Sequence, residues 1–200
     1  MTAGGTIEAA AAAARRGALI VFPTDTVYGI GTRPDDPAAT ARLFAAKRRP
    51  LDLTLPVLVA SVDDALRVAV FDDRASRVAA ACWPGALTLV LTRTDRSRAW
   101  ELGGDGATIG VRVPDHPVAR SLLGRTGPLA ATSANRSGEA PGRDHDELVA
   151  TFGEAVAVYL RDGSVGGAAS TVIDLTGPEP RVLRRGDVDP EHVIGLATAR

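Results

Sequence analysis

Cysteine is nearly absent from this chain, with Cys82 standing alone in 200 residues. One thiol excludes an intrachain disulfide framework and fits a reducing compartment. An excess of charge of one sign is also missing: 23 Lys+Arg stand against 24 Asp+Glu, a formal net charge of −1. A protein built chiefly to hold nucleic acid carries a basic surplus, so a basic site here has to be local. Aromatic residues make up 4% of the chain, too few for RNA readout by base stacking. No apolar run approaches the roughly 20 residues that cross a bilayer. The alanine run 9–14 is short, lies between Glu8 and Arg15-Arg16, and lacks the apolar core of a signal peptide. These absences give the expectation of a cytoplasmic protein with no membrane partner. The common nucleotide and hydrolase signatures are missing too. There is no G-x-x-x-x-G-K-[ST] loop and no G-x-S-x-G elbow. Gly103, Gly104, Gly106 and Gly110 lie before or within a strand, not between strand and helix. His116, His145 and His192 have no metal-ligand spacing, so no protein-held metal is expected.

What is present is a 45% hydrophobic chain, enough for one sizeable core and a single domain over residues 1–200. The chain is organised around residues 22–49. The run Ala18-Leu19-Ile20-Val21-Phe22 reads as a buried strand ended by Pro23. Thr24, Asp25, Thr26 and Tyr28 follow at its carboxyl end, where open α/β sheets hold ligands. Gly29 and Gly31 are expected to form a turn or to approach a ligand closely. Asp36 and Pro37 predict the cap and first turn of a helix with Ala41, Leu43, Phe44 and Ala45 inward, ending at Lys47-Arg48-Arg49. Further strands are expected at 55–60, 87–91, 107–113, 129–131, 156–160, 171–175 and 181–183. Helices are expected after Glu8, Ser61, Asp72, Pro114 and Asp146, and over 190–198. Residues 94–106, 136–145 and 161–169 read as loops. Strands and helices interleave, but several strands follow one another directly. The fold class is therefore α/β: a single-domain twisted sheet of mixed direction, flanked by helices around a concave ligand cleft.

Four stretches carry candidate chemistry, each with a structural alternative. Thr24-Asp25-Thr26 is a hydroxyl-rich ligand loop or simply a turn, and Lys47-Arg48-Arg49 is a phosphate site or a complement to the helix dipole. In 128–138, PLAATSANRSG, period two places Ser133 and Asn135 on one face as readers of polar ligand atoms, or the segment is an Asx turn. Arg112, alone in the apolar strand Ile109–Val113, needs a partner, either a buried carboxylate or a substrate carboxylate or phosphate held bidentately. The fourth stretch spans 166–174 and 181–186. It offers Ser170 before a strand and Arg184 after one, as cavity walls or as a strand-edge hydroxyl and a solvated end.

Residues PTDTVYGIG followed by a helix ending K-x-R-P resemble the YrdC-like family, the threonylcarbamoyl-AMP synthases. The segments WPGALT, IGVRVP, TSANRSG and STVID continue the resemblance, in order, over about residues 6–188. WPGALT, residues 83–88, reads as scaffold rather than chemistry. The resemblance implies an enzyme, a nucleotidyltransferase, that makes threonylcarbamoyl-AMP and pyrophosphate from L-threonine, bicarbonate and ATP. It implies hand-over of the product to a tRNA threonylcarbamoyl transferase complex for threonylcarbamoyladenosine formation. Carried over by position, Thr26, Arg112, Ser133 and Ser170 would hold threonine. Lys47, Arg49, Thr108, Asn135 and Arg184 would hold ATP, with Lys47, Arg49 and Arg112 serving catalysis and Mg²⁺ bound through the phosphates. Leu53, Leu58 and Arg143 depart from the pattern, standing where many relatives have polar residues. The chain resembles the short, single-domain form, and lacks the cysteines of the hydrogenase-maturation carbamoyltransferases that contain this domain. The alternatives are a paralogue of the same fold with another nucleotide-dependent activity, or an RNA-binding module using Lys47-Arg48-Arg49, Arg112 and Arg184.

Overall fold

In a computed structural model, which describes residues 5–162 and 167–199, nine strands form one mixed sheet. The elements in chain order are α1 (Ile7–Arg15), β1 (Leu19–Phe22), β2 (Gly29–Thr32), α2 (Pro37–Lys47), β3 (Val57–Leu58), α3 (Val62–Leu66) and α4 (Asp73–Cys82). There follow β4 (Leu87–Thr92), α5 (Asp95–Arg98), β5 (Thr108–Arg112), α6 (Pro117–Thr126), β6 (Leu129–Ser133) and α7 (His145–Phe152). The chain closes with β7 (Val156–Tyr159), β8 (Thr171–Asp174), β9 (Arg181–Arg184) and α8 (Pro190–Thr198). The strand order is β7-β1-β2-β6-β3-β5-β4-β8-β9. Pairs β1·β7, β3·β5 and β4·β8 are parallel and the others antiparallel. Among the described residues no helix is long and apolar enough to cross a membrane.

Local signals set most of these elements. Thr6, Asp36, Ser61, Asp72, Asp144 and Asp189 each cap a helix by accepting a backbone N–H. Gly17, at φ +78°, ends α1 with a conformation that β-carbons disfavour. Four expectations fail for identifiable reasons. Gly29 to Thr32 is a strand, not a turn. Gly31 faces Ala131 so closely that a Cβ on it would lie 2.8 Å from the Ala130 carbonyl oxygen. Ala41 and Ala45 of α2 are exposed, because the 3.6-residue period starting at Leu43 and Phe44 buries Ala39, Thr40 and Lys47 instead. Within 94–106, α5 forms and Trp100 and Leu102 are buried against the core. Arg184 belongs to β9 rather than following it. The expected loop 161–169 falls partly outside the described residues.

The two faces of the sheet are covered unequally, and this opens the cleft. On one face Leu43 and Phe44 of α2, Val78 and Ala79 of α4 and Val193 of α8 pack on Val21, Ile30, Val57, Leu89, Val111 and Ile173. On the other, α1 and α6 pack through Ala10, Ala14, Ala119 and Leu122 on Ile20, Phe22, Leu58 and Leu129. These positions alternate along the strands, as a pleat requires. The second helical layer stops at β3 and β6. Beyond it, the alternate positions of β4, β5 and β8 (Thr88, Val90, Gly110, Arg112 and Val172) line a cavity of about 570 Å³.

Candidate active site

The cavity lies within the size range of small-molecule sites, and its floor is built by period two. Thr108, Gly110 and Arg112 project from β5, Thr88 and Val90 from β4, Ala131 and Ser133 from β6, and Ser170 and Val172 from β8 and the residue before it. Glycine or alanine at 29, 110 and 131 keeps the floor low, so the depth of the cavity is written in small side chains. Eight Ser or Thr residues reach its lining. Leu53 and Leu58, two of the three departures from the family pattern, line it as well, with Val27, Pro56, Pro141 and Leu183. Arg143 is not among the lining residues.

Arg112 is buried, with 5% of its surface exposed. Its Nη2 meets Asp25 Oδ1 at 2.5 Å, Nη1 donates to Thr26 Oγ1 at 3.0 Å and Nε to the Gly85 carbonyl at 2.9 Å. Of the two partners anticipated for this arginine, the buried carboxylate is present as Asp25. Asp25 neutralises it from behind, and two of the five guanidinium donors remain for a ligand. Burial pulls its pKa down and Asp25 opposes that. The turn 83–88, read as scaffold, does hold the site, since Gly85 supplies the carbonyl that orients Arg112 and Gly85 N–H is tied to the Val113 carbonyl. Thr88 was missed there. It lines the cavity and shares a 2.9 Å hydrogen bond with Ser170 Oγ. Its signal was a hydroxyl every fourth residue in the otherwise apolar strand LTLVLT. Thr24 is a turn former, its Oγ1 accepting from Thr26 N and Val27 N, so the loop is a turn that also lines the cavity.

Arg184 and Arg49 complete a cationic cavity. Arg184 donates through Nε and Nη2 to the carbonyl and hydroxyl of Ser170, both at 2.9 Å. Arg49 donates to the carbonyls of Leu53 and Thr54, both at 3.0 Å. Among the described residues neither has a carboxylate partner. Burial lowers the pKa of both, and the charge of Arg184 lowers that of Arg49 further. Asp52 is the acidic residue of the lining. Two unpaired guanidiniums and a half-satisfied third, converging on one volume, are arranged to receive an anion with several charges.

Seven of the nine sequence-derived site residues line this cavity: Thr26, Arg49, Thr108, Arg112, Ser133, Ser170 and Arg184. Lys47 and Asn135 do not. The strand ends at Ser133, so period two stops before Asn135. The Asn135 Nδ2 turns back to the carbonyls of Arg136 and Glu139 at 2.8 and 2.7 Å. Lys47 is 1% exposed and its ammonium meets the backbone carbonyls of Ser133 and Asn135. The described residues contain no cluster of three or more His, Cys, Asp or Glu able to hold a metal.

A mixed sheet, half-covered on one face and bearing a cationic, hydroxyl-lined cavity there, defines an α/β protein whose cavity is suited by charge to a small polar anion. Comparison with known proteins sharpens that class. The family profile Sua5/YciO/YrdC, described as telomere recombination, matches residues 12–186, and the chain belongs to this family. A Chromohalobacter salexigens protein named threonylcarbamoyl-AMP synthase is 43% identical over 184 residues, 90% of this chain and 96% of its own. A Mycobacterium tuberculosis protein, provisionally given the same name, is 45% identical over 190 residues, 94% of this chain and 87% of its own. Among solved structures, Pyrococcus abyssi Sua5 complexed with L-threonine matches with a TM-score of 0.85 at 34% identity over 95% of this chain. This chain spans 56% of that one. Escherichia coli YciO matches with a TM-score of 0.85 at 30% identity, over 92% of this chain and 90% of its own.

Proposed function

We propose that the cavity is the active site of an L-threonylcarbamoyladenylate synthase, which forms threonylcarbamoyl-AMP and pyrophosphate from L-threonine, bicarbonate and ATP. The observation that carries this reading is the convergence of Arg49, Arg112 and Arg184 on one hydroxyl-lined cavity with a single carboxylate, Asp25, paired among them. It is supported by the names of relatives that match nearly the whole chain and by the threonine complex of a structural neighbour.

The two free donors of Arg112 hold the threonine carboxylate, with Thr26, Ser133 and Ser170 around its polar atoms. Arg49 and Arg184 hold the phosphates and Thr108 assists, while Leu53, Val90, Val172 and Leu183 offer an apolar wall to the purine. The threonine amine attacks bicarbonate to give a carbamate and water. A carbamate oxygen then attacks the α-phosphorus and pyrophosphate leaves. The protein's contribution is proximity and neutralisation of the phosphates by charges already in place. Among the described residues no cluster could cage a metal, so Mg²⁺ would be held through the phosphates, with Asp52 the acidic group in the lining. The product passes to a tRNA threonylcarbamoyl transferase complex, and the setting is the cytoplasm. The cavity lining contains no aromatic side chain, which disfavours the RNA-binding alternative, because single strands are held by stacking.

The test is pyrophosphate release from ATP by the purified protein, with threonine and bicarbonate supplied or withheld in turn and the adenylate product identified by mass spectrometry. Release that depends on both, with threonylcarbamoyl-AMP formed, is expected. ATP hydrolysis indifferent to threonine would overturn the reading.

A further inference from the structure

We propose that Thr88 is a positioning residue of the threonine site: its hydroxyl donates to Ser170 and, together with Arg184, fills both lone pairs of that serine, so that Ser170 turns its own O–H to an anionic oxygen of the ligand. The proposal rests on the synthase reading for the identity of that ligand, L-threonine.

Thr88 and Ser170 are both buried and both line the cavity. Thr88 stands on β4, between β5, which carries Arg112, and β8, which Ser170 precedes. The short segment 85–88 reaches both sides of the site. Gly85 O accepts from Arg112 Nε, Ala86 O accepts from Thr171 N–H, and Thr88 Oγ1 lies 2.9 Å from Ser170 Oγ. The rotamer of Thr88 is fixed from below. A Cβ on Gly110 would lie 3.3 Å from Thr88 Cγ2, so the methyl sits over that glycine and the hydroxyl is left facing Ser170. A β-branched side chain is stiff at χ1, and a seated methyl holds the hydroxyl in place.

The direction of the hydrogen bond follows from a count of protons. A hydroxyl has one proton to give and two lone pairs. A guanidinium only donates, so Arg184 Nη2, 2.9 Å from Ser170 Oγ, takes one lone pair of the serine. The contact between the two hydroxyls uses one of their two protons. Were it the proton of Ser170, the serine would face the ligand with a lone pair alone, which an anionic oxygen repels. With Thr88 donating, Ser170 accepts twice and gives its O–H outward, and the charge of Arg184 strengthens that donor. Arg49, Arg112 and Arg184 make the cavity a place for anions, which selects this direction. Ser170 is then a donor and no acceptor, suited to the threonine carboxylate and unsuited to its ammonium. Thr88 has no other hydrogen-bond partner among the described residues.

Thr88→Val exchanges the hydroxyl for a methyl of the same size in a strand, where valine is favoured. Threonine binding is measured by calorimetry in the presence of an ATP analogue that cannot be cleaved between its α- and β-phosphates. In Thr88→Val it should weaken about 3- to 10-fold, the scale of one hydrogen bond. Pyrophosphate binding should stay within about twofold, since Arg184 keeps its hydrogen bonds to Ser170. Thr88→Ser restores the donor and should return threonine affinity to within about twofold of the wild type. A double-mutant cycle with Ser170→Ala shows the route: a residue that acts only through Ser170 adds no further loss in that background. Normal threonine affinity in Thr88→Val would overturn the proposal. So would an equal loss for threonine and pyrophosphate, the mark of a general loosening, or a full further loss on top of Ser170→Ala, the mark of a direct contact. If Thr88→Val does not fold, Thr88→Ala, which adds no bulk, takes its place in the cycle. A wild type that binds threonine but makes no adenylate would remove the synthase reading and leave the cycle to decide on Thr88. A wild type that binds no threonine would overturn the proposal itself.

Discussion

A guanidinium on a buried strand needs its donors met, and Arg112 meets three of five with Asp25, Thr26 and Gly85. The remaining two form the fork that recognises a carboxylate. Arg112→Lys keeps the charge and the pairing with Asp25 but loses the fork. Charge-assisted hydrogen bonds are worth roughly 1.5–3 kcal/mol each, so the threonine KM should rise about 10- to 100-fold with the circular dichroism spectrum unchanged. An unchanged KM would place threonine elsewhere. Lys47 gives a residue-scale prediction of opposite kind. Burial, aided by Arg49, lowers its pKa from 10.5 to about 8. Between those values the unfolded chain binds more protons than the folded one, so this group makes stability rise with pH in that window. The urea midpoint of the wild type should climb from pH 8 to pH 10 relative to that of Lys47→Met. A flat difference would show that the amine keeps its ordinary affinity for protons.

At the scale of elements, legibility followed the range of the cause. Helix starts were readable because a cap is local: Asp36 with Pro37, Ser61 and Asp72 each act within three residues. The buried run of β1 and the polar ends of β5 and β6 were readable for the same reason. The strand β2 was not, because its two glycines mask the β-forming Ile30 and Thr32 and read as turn signals. It is a strand because β1 and β6 flank it, and its glycines are there to let β6 come close. Asn135 was misplaced because the sequence does not say where β6 ends, and Thr88 because a hydroxyl in an apolar strand says nothing of which face is open. The reading of β2 can be tested. Gly31→Val favours a strand by propensity but puts side-chain atoms against Ala130 O and Ala131 Cβ, so stability should fall by about 1–3 kcal/mol as overpacking does. Gly124→Ala, at an exposed position of α6 with nothing within 4 Å of the added methyl, should instead stabilise by roughly 0.5–1 kcal/mol. A urea titration of the two variants gives both signs. A stabilising Gly31→Val would show that β6 stands farther off.

At the scale of the whole molecule, the sheet is covered on one face and half-covered on the other, and the uncovered half carries cations. Arg49, Arg112 and Arg184 each have a lowered pKa with burial as the main cause, and Arg184 depresses the other two by its charge. The apo fold therefore holds repulsion that an anion relieves. Pyrophosphate, the product common to every ATP-cleaving version of this chemistry, is the probe. At 100 times its dissociation constant a ligand that binds only the folded state adds about 2.7 kcal/mol, so the melting temperature should rise with pyrophosphate and less so in high salt, since screening weakens the attraction. Arg184→Met tests where that gain comes from. It removes two hydrogen bonds to Ser170, worth about 1 kcal/mol each, and at the same time removes the repulsion on Arg49 and Arg112. The two effects oppose, so apo stability should change by less than about 2 kcal/mol while most of the pyrophosphate gain disappears. A variant that loses stability heavily yet keeps the gain would assign Arg184 to holding β8 and β9 together and move the phosphate site toward Arg49 alone.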